Sequence, residues 1–219
     1  MQIETLRTVL TLVSGICWTI VYIDGIRLGF KDRSYAIPFY ALALNFAWEL
    51  LHTIFGFRSG VSLQTVINSV WLTFDIGILY TYFKFGRKYF PRNLPASWFS
   101  GWTILGLLTA IAVEYAFIKE FGVYRGAGYS AFLQNLVMSV LFITMLIRRG
   151  STEGQSLNIA VNKWIGTLAP TILFGIVGDG GFPNGSFLIL VVGIFCSVFD
   201  LIYIGMLFRM RRNVQLPTA

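Results

Sequence analysis

Four acidic residues lie within long apolar stretches, where a carboxyl group is costly and tends to have a function. They are Glu49, Asp75, Glu114 and Asp200. Placing an acid near the middle of a bilayer costs about 3 kcal/mol, and the uncharged form avoids most of that cost. We therefore expect these carboxyl groups to hold a proton at neutral pH, as a general acid must.

Each acid shares a helical face with other polar or aromatic residues. One such face carries residues at positions i, i+3, i+4 and i+7, namely Asn45, Trp48, Glu49 and His52. Similar faces are formed by Asn68, Trp71 and Asp75, and by Cys196, Asp200 and Tyr203. Such groups can serve catalysis, or they can join helices by hydrogen bonds.

Three tryptophans, Trp18, Trp48 and Trp71, also lie well inside apolar stretches. They can be packing residues, or their ring faces can stabilise a cation. An acid beside deep aromatic faces suits the cyclisation of a polyene through carbocations.

Long apolar stretches predict the elements that carry these residues. Hydrophobic residues make up 56% of the 219 residues and charged residues only 12%, which excludes an ordinary soluble domain. A span needs about 20 apolar residues, and the predicted spans are 8–24, 36–57, 63–85, 98–118, 129–148, 159–178 and 186–208. Residues 1–219 are thus expected to form one all-α, seven-helix transmembrane domain. Gly126 and Gly128 are expected to break the chain between the fourth and fifth spans.

The basic residues predict the orientation. Most of the 17 Lys and Arg residues, Lys163 among them, fall on the side of the C-terminus. The positive-inside rule then puts the N-terminus outside and the C-terminus in the cytoplasm, in the endoplasmic reticulum or a bacterial inner membrane. These flanks account for the net charge of +7 without a nucleic-acid partner.

Several cofactor sites are excluded by what the sequence lacks. The single histidine, His52, argues against a di-iron centre built from two Glu-x-x-His motifs. The seventh span has no lysine for a retinal Schiff base, and no Asp-Asp-x-x-Asp run is present to bind magnesium diphosphate. We expect no metal and no cofactor.

The run Asn45-Phe46-Ala47-Trp48-Glu49 on the second span, together with Asp200 in the last, resembles a known family. These are the integral membrane terpene cyclases of meroterpenoid and indole-terpenoid biosynthesis, the pyripyropene-type cyclases and their bacterial relatives. The resemblance implies that Glu49 and Asp200 are the essential acids. It also implies that they protonate a terminal alkene or epoxide of a prenylated aromatic or indole substrate and so start ring closure.

The remaining site residues are predicted from depth and helical face. Glu49 or Asp200 is expected to donate the proton, while the other hydrogen-bonds or recharges it. The residues expected to bind substrate or orient the acids are Trp18, Asn45, Trp48, His52, Asn68, Trp71, Asp75, Glu114 and Tyr203.

Two other functions stay open. In a small-solute or proton-coupled transporter, Glu49, Asp75 and Asp200 would form a proton or cation path. Such a protein is expected to repeat spans 1–3 in spans 5–7, and no such similarity is visible. A scaffold subunit is disfavoured by the number of buried acids. The sequence leaves the oligomeric state open.

Overall fold

The computed structural model describes residues 2–61 and 63–215, and these residues are mostly helical. Six α-helices follow one another: α1 (Gln2–Lys31), α2 (Phe39–Ser59), α3 (Leu63–Phe85), α4 (Ala96–Arg149), α5 (Leu157–Ile172) and α6 (Phe187–Gln215). A 3₁₀-helix, Gly86–Tyr89, follows α3, and a π-helical turn, Leu173–Val177, continues α5 just beyond Pro170. No strand is found in these residues; an isolated bridge pairs Asp179 with Phe182.

The helices have the length and surface of membrane-spanning segments. Within the described ranges, five are long and apolar enough to cross a bilayer: Gln2–Lys31, Gln64–Tyr89, Ala96–Arg149, Leu157–Val177 and Phe187–Arg212. Large apolar side chains such as Ile16, Leu105 and Phe195 point outward, as lipid contact requires. The predicted all-helical, multi-pass membrane character is confirmed.

Helix α4 changes direction at Gly122. This glycine has φ 78° and ψ 167°, which is not helical and suits a residue without a Cβ. A Cβ on Gly126 would lie 2.6 Å from the carbonyl oxygen of Phe117, whereas nine residues of straight helix span about 13.5 Å. The parts of α4 before and after Gly122 therefore pack side by side. The prediction of the break at Gly126 and Gly128 was wrong, because both are helical and Gly126 instead permits close packing.

Packing between helices brings the polar faces together in the core. Trp18 of α1 packs on Gly166 of α5, where an added Cβ would lie 2.9 Å from the indole ring, and the Ser14 hydroxyl donates to the Gly166 carbonyl at 2.8 Å. On α6, Gly193 lies against Thr171. Helix α2 packs between α3 and α4. All six helices thus contribute to one buried interior.

Loops at one end of the bundle are tied together by polar contacts. The Ser34 and Tyr89 hydroxyls lie 2.7 Å apart, and the Gly154 amide donates to Asp32 at 2.8 Å. The Arg149 guanidinium stacks on the rings of Tyr35 and Tyr89. This network fixes how the helices enter the bundle.

Candidate active site

The first polar group in the core, here called the Asp75 cluster, consists of Tyr22, Asn45, Asp75 and Gln134. Its centre is the side-chain amide of Asn45, which donates to both Asp75 carboxyl oxygens at 2.9 and 3.1 Å and to the Tyr22 hydroxyl at 2.6 Å. Gln134 donates in turn to the Asn45 oxygen at 3.4 Å. Four helices meet here, and all four side chains are buried.

Glu49 lies one helical turn beyond Asn45 on α2. Its side chain is buried, and its Oε2 atom has no hydrogen-bond partner among the described residues. Asp75 is close enough to interact electrostatically with this carboxyl group. Two carboxyl groups that share an apolar site do not both ionise readily. That acids at this depth hold a proton stays a prediction for this pair.

The second polar group, here called the Lys163 cluster, consists of Ser139, Lys163 and Asp200. The Lys163 ammonium donates to the Asp200 oxygens at 2.7 and 2.9 Å and to the Ser139 hydroxyl at 2.7 Å. The Lys163 side chain is 0% exposed and that of Asp200 is 1% exposed. The assignment of Lys163 to the basic flanks was wrong, because the lysine is drawn into the core by a carboxylate.

Aromatic and polar side chains from α4 and α6 surround the Lys163 cluster. Tyr203, predicted to bind substrate, is fully buried and donates to the Gln155 oxygen at 2.8 Å. Its ring lies 5.2 Å from that of Phe142, and Phe142 also contacts the Lys163 ammonium. Cys196 is close enough to interact electrostatically with Lys163 and Asp200. The predicted face of Cys196, Asp200 and Tyr203 therefore points inward.

The three deep tryptophans lie around the Asp75 cluster and Glu49, and two of them hydrogen-bond to groups outside the cluster. The Trp18 and Trp71 rings lie 6.4 and 6.2 Å from that of Tyr22, and the Trp71 indole donates to Thr19 at 3.2 Å. The Trp48 indole donates to the Ala127 carbonyl at 3.1 Å, and its ring lies 4.4 Å from that of His52. Trp18 and Trp71 are thus positioned around Tyr22, and Trp48 on the Glu49 face of α2.

The other predicted residues are buried at the opposite end from the tied loops. Asn68 accepts a hydrogen bond from Gln64 at 2.7 Å, and Glu114 hydrogen-bonds Ser130 across the two parts of α4. Several buried polar atoms on α2 and α4 lack a partner in the described residues: Glu49 Oε2, His52 Nε2, Thr53 Oγ1, Glu114 Oε2 and Gln134 Oε1. Unsatisfied buried atoms call for an explanation such as water or a bound ligand, and here they follow the face of α2 that carries Glu49.

Four candidate site residues were either not predicted from the sequence or were predicted to have another role. Tyr22 and Ser139 carry no charge and lie in apolar runs, so nothing in the sequence distinguishes them from packing residues. Gln134 was not among the predicted site residues, and its bond to Asn45 joins two helices. Lys163 offered the one usable signal, a lysine inside a predicted span, because such a charge needs a partner.

In the described residues, two surface cavities are lined by residues other than these acids. One, of about 310 Å³, is lined by Ser97, Trp98, Gly101, Trp102 and Leu105. The other, of about 440 Å³, lies between residues 121–125 and the segment that contains Gly180, Gly181 and Pro183. In the same residues, no group of three His, Cys, Asp or Glu side chains is arranged to hold a metal ion.

Comparison with known proteins gives one consistent result. Residues 1–213 match the family model described as Pyr4-like transmembrane terpene cyclases. The chain is 34% identical to the Pyr4-family terpene cyclase mfmH of Annulohypoxylon moriforme, over 75% of this chain and 68% of that protein. It is 30% identical to the terpene cyclase atmB of Aspergillus flavus over 78% and 70% of the two chains, and 25% identical to the terpene cyclase pyr4 of Aspergillus fumigatus over 92% and 86%. No solved structure matches.

Proposed function

This chain belongs to the Pyr4-like transmembrane terpene cyclase family, and from that premise we propose that it closes rings in a prenylated aromatic or indole substrate after protonating its terminal alkene or epoxide. The proposed reaction is an isomerisation of the class II type. It uses no metal and no cofactor, because the proton comes from a carboxyl group of the protein.

One observation carries the assignment of the proton donor: the buried Glu49 carboxyl group has a free oxygen and lies beside a second acid. Asn45 already occupies both oxygens of Asp75, whereas Glu49 Oε2 has no partner in the described residues. Asp75 also disfavours a second negative charge nearby. Glu49 is therefore the acid that keeps a proton and can direct it at a substrate.

The chemical steps follow from that placement. The Glu49 O–H bond breaks as the proton adds to the terminal alkene carbon or the epoxide oxygen. The electron-poor carbon that results is attacked by the next C=C bond of the prenyl chain, and each attack forms a ring C–C bond. Trp18, Trp48 and Trp71 are proposed to present ring faces to the travelling cation. Loss of a proton from carbon ends the reaction.

The remaining site residues complete the proposal. Asp75, held by the Asn45 amide, sets the electrostatic surroundings of Glu49. Three residues contact the substrate near its point of access, because they lie toward the end of the bundle away from the tied loops. They are His52, Asn68 and Glu114. Tyr203 forms the wall of the site next to Asp200. Asp200 supplies the second essential carboxyl group.

The membrane arrangement is part of the same proposal. The two parts of α4, on either side of Gly122, supply the fourth and fifth of seven spans, so residues 1–219 form a single domain. The tied loops carry Lys88, Arg149 and other basic residues and are placed in the cytoplasm, with the N-terminus outside. The protein resides in the endoplasmic reticulum or a bacterial inner membrane as a multi-pass enzyme. The family match disfavours the alternative of a transporter.

The decisive experiment replaces the donor. Membranes containing the protein are incubated with a linear farnesylated aromatic acceptor and, separately, with its terminal epoxide, and a ring-closed isomer is sought. Glu49→Gln keeps the size of the side chain but removes the acidic proton, so turnover is expected to fall by about 100-fold or more.

A matched control is offered by Glu120, an exposed residue of α4. Glu120→Gln is expected to leave turnover at the wild-type level. Undiminished turnover by Glu49→Gln, or no ring-closed isomer from the wild-type protein with either substrate, would refute the proposed function.

A further inference from the structure

Asp200 and Glu49 lie in opposite electrostatic surroundings, although the family resemblance treats both as acids. Glu49 is near another carboxyl group, whereas Asp200 is paired with an ammonium group. A single proton-donating role does not fit both sites.

The contacts around Lys163 indicate an ion pair with Asp200. The Lys163 nitrogen lies 2.7 and 2.9 Å from the two Asp200 oxygens and 2.7 Å from the Ser139 hydroxyl. Both side chains are almost completely buried, at 0% and 1% exposed. A buried charged group needs an opposite charge beside it, so the ammonium and carboxylate forms stabilise one another here.

We infer that Asp200 works as a carboxylate held in place by Lys163, and that it removes the final proton of the cyclisation rather than supplying the first. This inference rests on the proposed function and assigns the base that the function requires. Lys163 is then a positioning residue, and Glu49 is the sole donor.

The placement of the two clusters suits a reaction that runs from one to the other. Gln134 of the Asp75 cluster and Ser139 of the Lys163 cluster lie five residues apart on α4, a rise of about 7.5 Å. Trp18 lies between them on the other side, against Tyr22 and against Gly166, one turn from Lys163. Glu49 lies a further turn, about 6 Å, beyond Asn45 and away from Ser139, so about 13.5 Å along the bundle axis separates donor and base, with an aromatic ring between them.

The atoms balance without a co-reactant. The first step breaks the Glu49 O–H bond and forms a C–H or O–H bond on the substrate. The last step breaks a C–H bond next to the final cation, leaves its electron pair as a new C=C bond and places the proton on an Asp200 oxygen. Product and substrate are isomers. The two carboxyl groups return to their starting states by exchange with water after the product leaves.

Charge removal tests the inference, because the two roles of Asp200 predict different behaviour. Asp200→Asn leaves the Lys163 ammonium unpaired beside the path of a cation, so turnover is expected to fall by about 100-fold or more. The double variant Lys163→Met/Asp200→Asn buries neither charge. With Glu49 still present, its consumption of substrate is expected to recover at least about tenfold over Asp200→Asn, because removing both partners avoids a lone buried charge. Its products are expected to be alcohols heavier by one water, since water replaces the missing base.

Lys163→Met alone sharpens the test. Without Lys163 the Asp200 carboxyl group loses its ion-pair partner and its fixed position, so a base loses activity, whereas a donor that needs no cation keeps or gains it. We expect reduced turnover and water-trapped products from Lys163→Met, and recovery of the ring-closed alkene with Lys163→Arg. Lys119→Met, which alters an exposed lysine of α4, is the matched control and is expected to behave as wild type.

The outcomes separate this inference from the proposed function. A double variant as inactive as Asp200→Asn, or Lys163→Met with wild-type turnover and product, would overturn the role of Asp200 as base while leaving cyclisation by the wild type intact. If Lys163→Met does not elute as a single folded species in detergent, the double variant decides alone. Adding Glu49→Gln to the double variant is expected to leave the substrate unreacted.

Discussion

The Asp75 and Lys163 clusters place the same functional group in two different chemical states. In the Asp75 cluster the carboxyl oxygens are bound by the neutral amide of Asn45. In the Lys163 cluster they are bound by the Lys163 ammonium group, which also contacts the Ser139 hydroxyl. Burial is common to both clusters, and the charge of the nearest donor is what differs between them.

In the proposed mechanism the pair of Glu49 and Asp75, which has no cation beside it, keeps a proton that it can donate. Asp200, held by the Lys163 cation, is the carboxylate that accepts a proton. A cyclisation that begins and ends with proton transfer needs both. Helix α4 contributes to both clusters through Gln134 and Ser139, so a single element sets their separation.

The difference between the two clusters can be removed most directly by adding a cation to the Asp75 cluster. Gln134 contacts Asn45 directly, and Gln134→Lys would bring an ammonium group beside Asp75 and Glu49. Ionisation of these acids would then be favoured, and turnover is expected to fall by about 100-fold or more as the donor is lost. Initial rates on the farnesylated acceptor measure the effect.

Gln134→Met is the matched control, because it has a similar length and no charge. It removes only the long 3.4 Å hydrogen bond to Asn45, so a loss of less than about tenfold is expected. Equal rates for the lysine and methionine variants would show that the charge of this cluster does not govern donation.

The sequence was sufficient for the helical membrane character and for the inward face of α2. Asn45, Glu49 and His52 share a stripe because their spacing matches the helical repeat, and all three are buried. The same reasoning placed Tyr203 beside Asp200. Periodicity thus identifies which residues face the core.

The partners of those residues were not predictable from the sequence. Glu49 and Asp200 were expected to act on one another, yet each interacts with a residue from another helix, Asp75 and Lys163 respectively. Lys163 lies only a few residues inside its predicted span, so a charge count assigns it to the flank. Helical spacing says nothing about which faces of different helices meet, and the tertiary packing alone provides that information.

A smaller effect is expected from Asn45, which supports the Asp75 cluster without carrying its proton. Asn45→Leu removes the donor to both Asp75 oxygens and to Tyr22, and leaving these buried acceptors unpaired costs about 1 to 3 kcal/mol. We expect a lower temperature of heat inactivation in detergent and a loss of turnover of about tenfold.

Asn162→Leu supplies the comparison for that variant. The Asn162 amide bonds only within its own helix, to Asn158, so little change is expected in either measurement. If Asn45→Leu matched this control in both rate and heat stability, the hydrogen bonds to Asp75 would contribute nothing to the site.

The smallest effect is expected from a second lysine–carboxylate pair, Lys88 and Glu153, which are 2.5 Å apart at the tied loops and largely exposed. Partial burial works to raise the pKa of Glu153, but hydrogen bonds from Lys88 and Tyr89 outweigh it and leave that pKa below its ordinary value. A lowered pKa stabilises the fold at neutral pH, and the contribution is lost as the pH falls through the lowered value. Solvent and salt screen such a pair, so Glu153→Gln is expected to cost less than about 1 kcal/mol.

Salt is expected to weaken the exposed ion pair but not the buried one, because ions reach Glu153 and not Asp200. In heat-inactivation measurements, the difference between wild type and Glu153→Gln is expected to shrink at high salt and at acid pH. The loss caused by Lys163→Met, about 3 to 5 kcal/mol for a broken buried pair, is expected to be unaffected by salt. If the loss of stability in Lys163→Met depended on salt, water and ions would have to reach Asp200. The charge of the carboxylate would then be stabilised by solvent rather than by the lysine.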